Sequence, residues 1–482
     1  MKTSFKKEVL GTSAMESRLK PLYDRLPVML QNLALTAVSA RLHRERYGGD
    51  FTARKAFLER SQWFSEDELY AYQCERLQDI IAYVHAKVPY YTRIMREYGI
   101  MPADVRTPED LTAFPLLTKD DIKRHFNELL STDYSIDRVA KGHTSGTTGS
   151  PLEICYDPGL IRMNYAMLDR QYAWANTRLS AFGDRVAVIR GNVVVPLDQP
   201  TAPFWRINYL HHQLLLSSFH LTPDNITAYL GELRRFRPKV LDGYPSTVYV
   251  LAKHLKNIGK TLPLHAVLTS SETLFDFQRE AIESSFQCRV FDYFGAAERV
   301  VFATECDHHE GHHLASEFGI TEILDADGRA APPGTLGKLV ATTLHNRAMP
   351  LIRYVTNDMT ALRVQRCSCG RALPLIEDVA TKAEDLMTLR DGRLISPSVL
   401  THPFKPLTSI AASQIVQEDL DTVVVKVVPT VQFSAEDERQ LTAGLAERLG
   451  DTVTVRVERV KELERTQTGK FKWVISKVKP GI

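Results

Sequence analysis

Little in this chain of 482 residues is present in excess, and several shortages narrow what it does. Its six cysteines, Cys74, Cys155, Cys288, Cys306, Cys367 and Cys369, are too sparse for a disulfide framework, and a chain long enough to bury a large core needs none. They point to a reducing, cytoplasmic setting. Neither charge sign dominates: 60 Lys and Arg stand against 58 Asp and Glu, a net charge of +2. That balance argues against a dedicated nucleic-acid or membrane-surface binder, whose affinity rests on clustered positive charge. Long hydrophobic runs are also missing. The most apolar early stretch, Pro27 to Ala40, is interrupted by Gln31 and Asn32 and is too short to span a bilayer, so it reads as a packed or interface helix without stable membrane insertion. Lys2, Lys6 and Lys7 give a basic start, but no sharply apolar segment with a small-residue cleavage site follows at once. Internal repeats and low-complexity linkers are absent.

What is present is the composition of an ordinary folded protein, 44% hydrophobic and 24% charged, with length for roughly three core-sized units at about 150 residues each. Small-molecule chemistry is the default. The first hundred or so residues read as helical: Leu77, Ile80, Ile81 and Val84 recur at i, i+3, i+4 and i+7 within Glu75 to Val88, and Pro89 ends the pattern. From about residue 140 short β-rich runs, Val186 to Ile189, Ala266 to Thr269 and Val290 to Tyr293, alternate with helical stretches. The alternation predicts an α/β body with sheets covered by helices.

After Asp385 the pattern changes. Asp391-Gly392 between apolar runs signals a hairpin, and Val423 to Val428 is a strongly β-branched strand. Ser434 with Asp437 resembles a capping box, Leu441, Leu445 and Leu449 form the buried stripe of the helix that follows, and Gly450 closes it. Val453, Val455 and Val457 then alternate as a strand. The expected organisation is an α/β chain with a large multi-sheet domain over 1–384, helical to about 130, and a small α+β domain over 385–482.

The most specific motif is His143-Thr144-Ser145-Gly146-Thr147-Thr148-Gly149-Ser150-Pro151, in which hydroxyls alternate with glycines that let a ligand approach the backbone closely. Hydroxyls and bare N–H groups are what phosphate oxygens need. No Gly-Lys-Ser/Thr follows, which excludes a Walker A loop and a P-loop kinase or ATPase.

With its neighbours, this loop resembles the phosphate loop of the AMP-forming adenylating enzyme superfamily, and the chain from about residue 30 to 480 is similar to its phenylacetate-CoA ligase and capsule-biosynthesis (CapK-like) branch. The resemblance runs through HAKVPYYTRI, Asp242-Gly243-Tyr244-Pro245-Ser246, LTSSETL, FDYFGAAE, TTLHNRAMPLIRYVTND, RCSCGR and RTQTGK. It implies a large adenylating domain with a mobile C-terminal lid. It also implies activation of a carboxylic acid by ATP and Mg2+ to an acyl-adenylate and pyrophosphate, then acyl transfer to coenzyme A, another thiol, or an amine or alcohol. Charge builds on the phosphates in such a reaction, so preorganised donors and cations matter most. A non-catalytic nucleotide-binding protein is the rival from another class.

The resemblance also implies roles. Ser145, Gly146, Thr147, Thr148 and Gly149 cradle the β- and γ-phosphates, Glu298 holds Mg2+, and Ser270, Ser271 and Glu272 lie along adenine. Tyr293, Phe294 and Gly295 adjoin the nucleotide, and Tyr244 and Phe294 shape the acid pocket. Asp358 takes both ribose hydroxyls, and Lys382 stands where relatives carry an arginine. Lys470 reaches the carboxylate and α-phosphate, and Asp385 is the hinge between half-reactions. The partners are a small carboxylic acid and an acyl acceptor, without nucleic acid, and a homodimer is compatible with this reading.

A second constellation is metal-like. Cys306 precedes His308, His309, His312 and His313, and Cys367-x-Cys369 comes later, two clusters suited to one tetrahedral zinc. The four histidines compete for one place, and the resemblance points to Cys306, His313, Cys367 and Cys369 around a structural Zn2+.

Overall fold

The computed structural model describes residues 21–143, 152–179, 183–196, 198–222, 224–325, 327–379, 387–390, 394–395, 400, 403–404, 406–407, 409–450, 452–463 and 473–478. It opens with helices at Val28–Tyr47, Phe51–Ser61, Glu66–Lys87 and Pro89–Tyr98. Ser65 caps the third in a capping box with Glu68, and the stripe of Leu77, Ile80, Ile81 and Val84 is at most 1% exposed. Pro89 does more than end this helix: it occupies the first turn of the next, where its missing N–H costs nothing.

A hairpin of β1 (Ala140–His143) and β2 (Glu153–Tyr156) follows, with His143 paired to Glu153 at the end from which residues 144–152 depart. The helix Pro158–Trp174 then leads into the main sheet. This sheet comprises β3 (Val186–Arg190), β4 (Trp205–Asn208), β5 (Gln213–Ser217), β6 (Val240–Gly243), β7 (Ala266–Ser270), β8 (Arg289–Gly295), β9 (Phe302–Glu305) and β10 (His312–Leu314). The central strands, in the order β5-β3-β6-β7-β8, are parallel. They are buried on both faces by helices, which explains their continuous apolar runs. In a parallel sheet of this kind ligands bind beyond the carboxyl ends of the strands.

Beyond β10, strands β11 (Gly319–Leu324), β12 (Gly337–Thr343) and β13 (Tyr354–Thr360) form an antiparallel sheet, and β14 (Leu375–Ile376) returns to pair with β10. In the C-terminal part, β15 (Met387–Thr388) and β16 (Leu394–Ile395) pair antiparallel around the predicted turn at Asp391-Gly392, which itself lies outside the described residues. A four-stranded sheet in the order β19-β18-β17-β20 is built from β17 (Ile410–Gln417), β18 (Thr422–Pro429), β19 (Thr454–Arg459) and β20 (Val474–Ser476). The helix Ala435–Leu449 is capped by Ser434 and Asp437, and its Leu441, Leu445 and Leu449 are fully buried.

Gln31 and Asn32, which interrupt the early apolar stretch, are buried polar residues with a task. Asn32 accepts the amide of Ile207 at 2.9 Å, Thr36 accepts that of Tyr209 at 3.1 Å, and Arg206 donates to Gln31. The helix thereby covers the free edge of β4, the outermost strand of the main sheet. Among the described residues no helix is long and apolar enough to cross a membrane.

Candidate functional site

The carboxyl ends of β6, β7 and β8 bring together residues that are distant in sequence. Ser270, Tyr293, Phe294 and Gly295 close β7 and β8, and Ser270 stands level with Tyr293 in the parallel register. Ser271 follows in the left-handed region at φ 70°, a conformation that costs a non-glycine residue energy and marks a sharply turned loop. Glu272 accepts the Ser246 amide at 3.1 Å, which holds this loop to the start of the helix Pro245–Asn257. Tyr293 stacks on Phe302 with ring centroids 5.2 Å apart.

Glu298 sits on the turn after β8 and is 5% exposed. The phenol of Tyr354, at the start of β13, donates to its Oε1 at 2.5 Å. Tyr354 is itself placed by Leu117, whose N–H and C=O bond the backbone of Arg353 and Val355, each at 3.0 Å. Asp358, four residues along β13, is pushed up to about 6, chiefly by burial and then by the charge of Glu298, with Lys119 pulling the other way. The same burial and the same carboxylate push the Tyr354 phenol far above its ordinary value, so it remains a donor. Two acids in one partly dry site repel each other, an arrangement that a divalent cation or a hydroxyl donor relieves. The oxygen chemistry of Glu298 suits Mg2+.

The hairpin reaches the same place. Tyr156 in β2 donates to the carbonyl of Ala297 at 2.5 Å, and Arg299 lies over the Tyr156 ring at 4.5 Å. Gly142 is required here because a Cβ at that position would come within 2.0 Å of the Tyr156 hydroxyl. The strands that carry the glycine-rich loop are therefore rooted beside Glu298. Ser145, Gly146, Thr147, Thr148 and Gly149 lie outside the described residues, as do Lys382, Asp385 and Lys470.

Tyr244, expected in an acid pocket, caps the start of the helix Pro245–Asn257 and is 8% exposed. With Phe219 it joins the apolar cluster of the C-terminal part, alongside Met387, Leu400, Phe404 and Trp473. The Arg448 guanidinium lies over Phe219 at 5.4 Å. Tyr244 thus meets the small domain as well as the end of β6.

Away from these strand ends, Cys306, His313, Cys367 and Cys369 place one donor atom each within 4.8 Å of all the others. The Sγ atoms of Cys306 and Cys367 are 3.6 Å apart, and Cys369 Sγ lies 3.5 Å from His313 Nε2. A tetrahedral zinc with bonds of about 2.3 Å to sulfur and about 2.0 Å to nitrogen sets donor–donor edges of roughly 3.5–3.8 Å. His313 Nδ1 faces the Leu373 carbonyl at 3.4 Å, the outer contact that leaves Nε2 for a metal. Amides of His308 and Arg371 point at Cys306 and Cys369 sulfur at 3.4 and 3.5 Å. Gly370 supplies the φ of 84° that lets Cys367-x-Cys369 double back.

The competing histidines are engaged elsewhere. His308 meets Ser368 at 2.7 Å, His309 packs on Phe291, and His312 bonds Asp292 at 3.1 Å. Burial pushes the Cys306 and Cys367 thiols up; burial acts on Cys369 as well, but the Arg371 amide and guanidinium hold that thiol below its ordinary value. The donor set fits a soft, closed site.

Sequence reading missed the pairing of Tyr354 with Glu298 and a partly buried Arg190, Asp242 and Tyr172 contact. Arg190 signals itself only as a charge closing an apolar strand.

Comparison with known proteins agrees with this architecture. Residues 386–477 match the family described as the CapK C-terminal domain. The chain is 24% identical to the protein CapK of Staphylococcus aureus over 468 residues, covering 96% of this chain and all of that protein. It is 28% identical to a phenylacetate-coenzyme A ligase of Thermus thermophilus over 349 residues, covering 67% of this chain and 72% of that protein. The solved structure of 2-hydroxyisobutyryl-CoA ligase with 2-HIB-AMP and CoA, in the thioesterification state, shares the fold at 20% identity and a TM-score of 0.57, covering 87% of this chain and 91% of that one. The chain is thus similar to CapK along its length and to the phenylacetate-coenzyme A ligases over about two thirds of it, and its C-terminal part matches the CapK C-terminal domain.

Proposed function

We propose that this protein activates a small carboxylic acid with ATP, forming an acyl-adenylate and pyrophosphate, and then passes the acyl group to a thiol, coenzyme A foremost. The observation that carries the reading is the convergence of Glu298, Tyr354 and Asp358 beside the root of the glycine-rich hairpin, at the carboxyl ends of β7 and β8. In this reading Glu298 holds Mg2+ against the phosphates and Asp358 takes the ribose hydroxyls. Ser145, Thr147 and Thr148 with the amides of Gly146 and Gly149 cradle the β- and γ-phosphates, while Ser270, Ser271, Tyr293 and Gly295 flank the adenosine. Phe294 and Tyr244 border the acid, Lys470 meets its carboxylate, Lys382 supplies charge near the nucleotide, and Asp385 is the hinge.

Tyr244 within the cluster of the small domain supports a site completed by that domain. Amide or ester formation is the alternative use of the adenylate in this reading. Cys306, His313, Cys367 and Cys369 hold a structural zinc that pins the loop after β9 to the loop before β14.

Product analysis tests the proposal. Incubation with ATP, Mg2+ and a panel of aryl, fatty, hydroxy and amino acids should yield pyrophosphate and an acyl-adenylate with at least one acid, and added coenzyme A should accelerate turnover and release AMP in an amount equal to the pyrophosphate. ADP and phosphate, or no cleavage while ATP still binds, would contradict it.

A further inference from the structure

The carboxyl ends of β3 and β6 carry a polar group that the adenylation chemistry does not use. Arg190 closes β3, and its Nε and one Nη reach Asp242 Oδ1 at 3.0 and 2.5 Å. Tyr172, from the helix Pro158–Trp174, donates to the other oxygen of Asp242 at 2.8 Å. Asp242 stands level with Val188 in β3 and Leu268 in β7, and Leu268 with Phe291 in β8. Side chains alternate along strands, so Arg190, Asp242, Ser270 and Tyr293 share one face of the sheet. The Arg190 guanidinium lies 6.0 Å from the centre of the Tyr293 ring.

Tyr172 is almost wholly buried, whereas the Arg190 side chain is 18% exposed. Its Nη1 has no protein hydrogen-bond partner among the described residues. An apolar acyl chain laid against this group would strip water from an N–H donor and return nothing. An oxygen acceptor on the substrate would satisfy it. Asp242 already balances the guanidinium charge, so a neutral oxygen suits the place better than a second carboxylate.

We infer that Arg190, held by Asp242 and Tyr172, selects a carboxylic acid that bears a hydroxyl or oxo group on its acyl chain. The inference rests on the adenylation reading and narrows its substrate class. Arg190 donates through Nη1 to the substrate oxygen, and Asp242 and Tyr172 are positioning residues that keep the guanidinium plane fixed.

The test is acid-dependent pyrophosphate release with matched acids: phenylacetate against mandelate and 4-hydroxyphenylacetate, and butanoate against its 2-hydroxy, 3-hydroxy and 2-oxo derivatives. The oxygenated member of at least one pair should lead in kcat/KM by about tenfold or more, since a site built to bond a hydroxyl rejects the analogue lacking it. The double variant Arg190→Leu/Asp242→Leu, which leaves no unpaired charge, should bring the pair within about twofold. Arg190→Lys, which keeps the charge without the planar fork, should fall between. Equal turnover of every pair, or a preference that survives both variants, would overturn the inference while leaving adenylation intact. So would an unchanged preference with a raised KM for ATP, which would assign Arg190 to the nucleotide. Silence with every acid would instead overturn the adenylation reading, and this inference with it.

Discussion

Tyr354, with no exposed surface, donates its phenol to Oε1 of Glu298 at 2.5 Å across 56 positions of sequence. One oxygen of the carboxylate on the turn after β8 is thereby fixed. A partner of this kind tunes a metal-holding carboxylate without touching the metal.

Tyr354→Phe should therefore raise the Mg2+ concentration needed for half-maximal pyrophosphate release by about tenfold or more, with a smaller effect on KM for the acid. Magnesium titrations of wild type and variant check this. An unchanged magnesium requirement with an equal fall in all rates would reduce the contact to packing.

Asp358 carries a pH signature in the protein without nucleotide. Its folded carboxyl, raised to about 6, keeps its proton over a range where the unfolded one, at the ordinary 3.8, has lost it. The folded state binds more protons there, so the contribution of Asp358 becomes unfavourable as pH rises from about 4 to about 6 and stays so above. Asp358→Asn should match wild type in stability near pH 4 and exceed it by about 1–3 kcal/mol at pH 7. Denaturant melts at the two pH values measure the difference; a gap independent of pH would contradict the assignment.

Cys367→Ser should abolish zinc binding. Purified wild type should contain about one zinc per chain by metal analysis, and the variant, or the wild type after prolonged chelation, should lose it together with thermal stability. A metal-free wild type of equal stability would reject the site.

Lys470→Ala separates the half-reactions. Acyl-adenylate formation should fall by several orders of magnitude, as expected for a charge present only at that step, while transfer from a supplied acyl-adenylate to the acceptor should be largely preserved. Equal loss of both would remove Lys470 from its proposed role.

The sequence disclosed what is local and periodic. Leu77 to Val84, Val423 to Val428, and the Ser434 cap with the leucines behind it are each set by spacing within a few residues, and each folds as its pattern implies. Pro89 shows the limit even there: the same residue that stops one helix starts the next. Gln31 and Asn32 read as blemishes in an apolar stretch because their partners lie on β4, about 175 residues away.

For the site, motifs named Glu298 and Asp358, but the phenol between the strands became visible only when β13 was laid beside the β8 turn. Four neighbouring histidines share one side-chain chemistry; the resemblance pointed to His313, and the geometry separates it from His308, His309 and His312 by the direction of each ring. Arg190 and Asp242 are 52 residues apart, and neither carries a spacing rule that would join them.

The most direct test of the central claim follows oxygen. With the carboxylate of a turned-over acid labelled in both positions with 18O, activation through an acyl-adenylate predicts that one labelled oxygen appears in AMP after transfer to the acceptor. AMP without label, or label in inorganic phosphate, would contradict it.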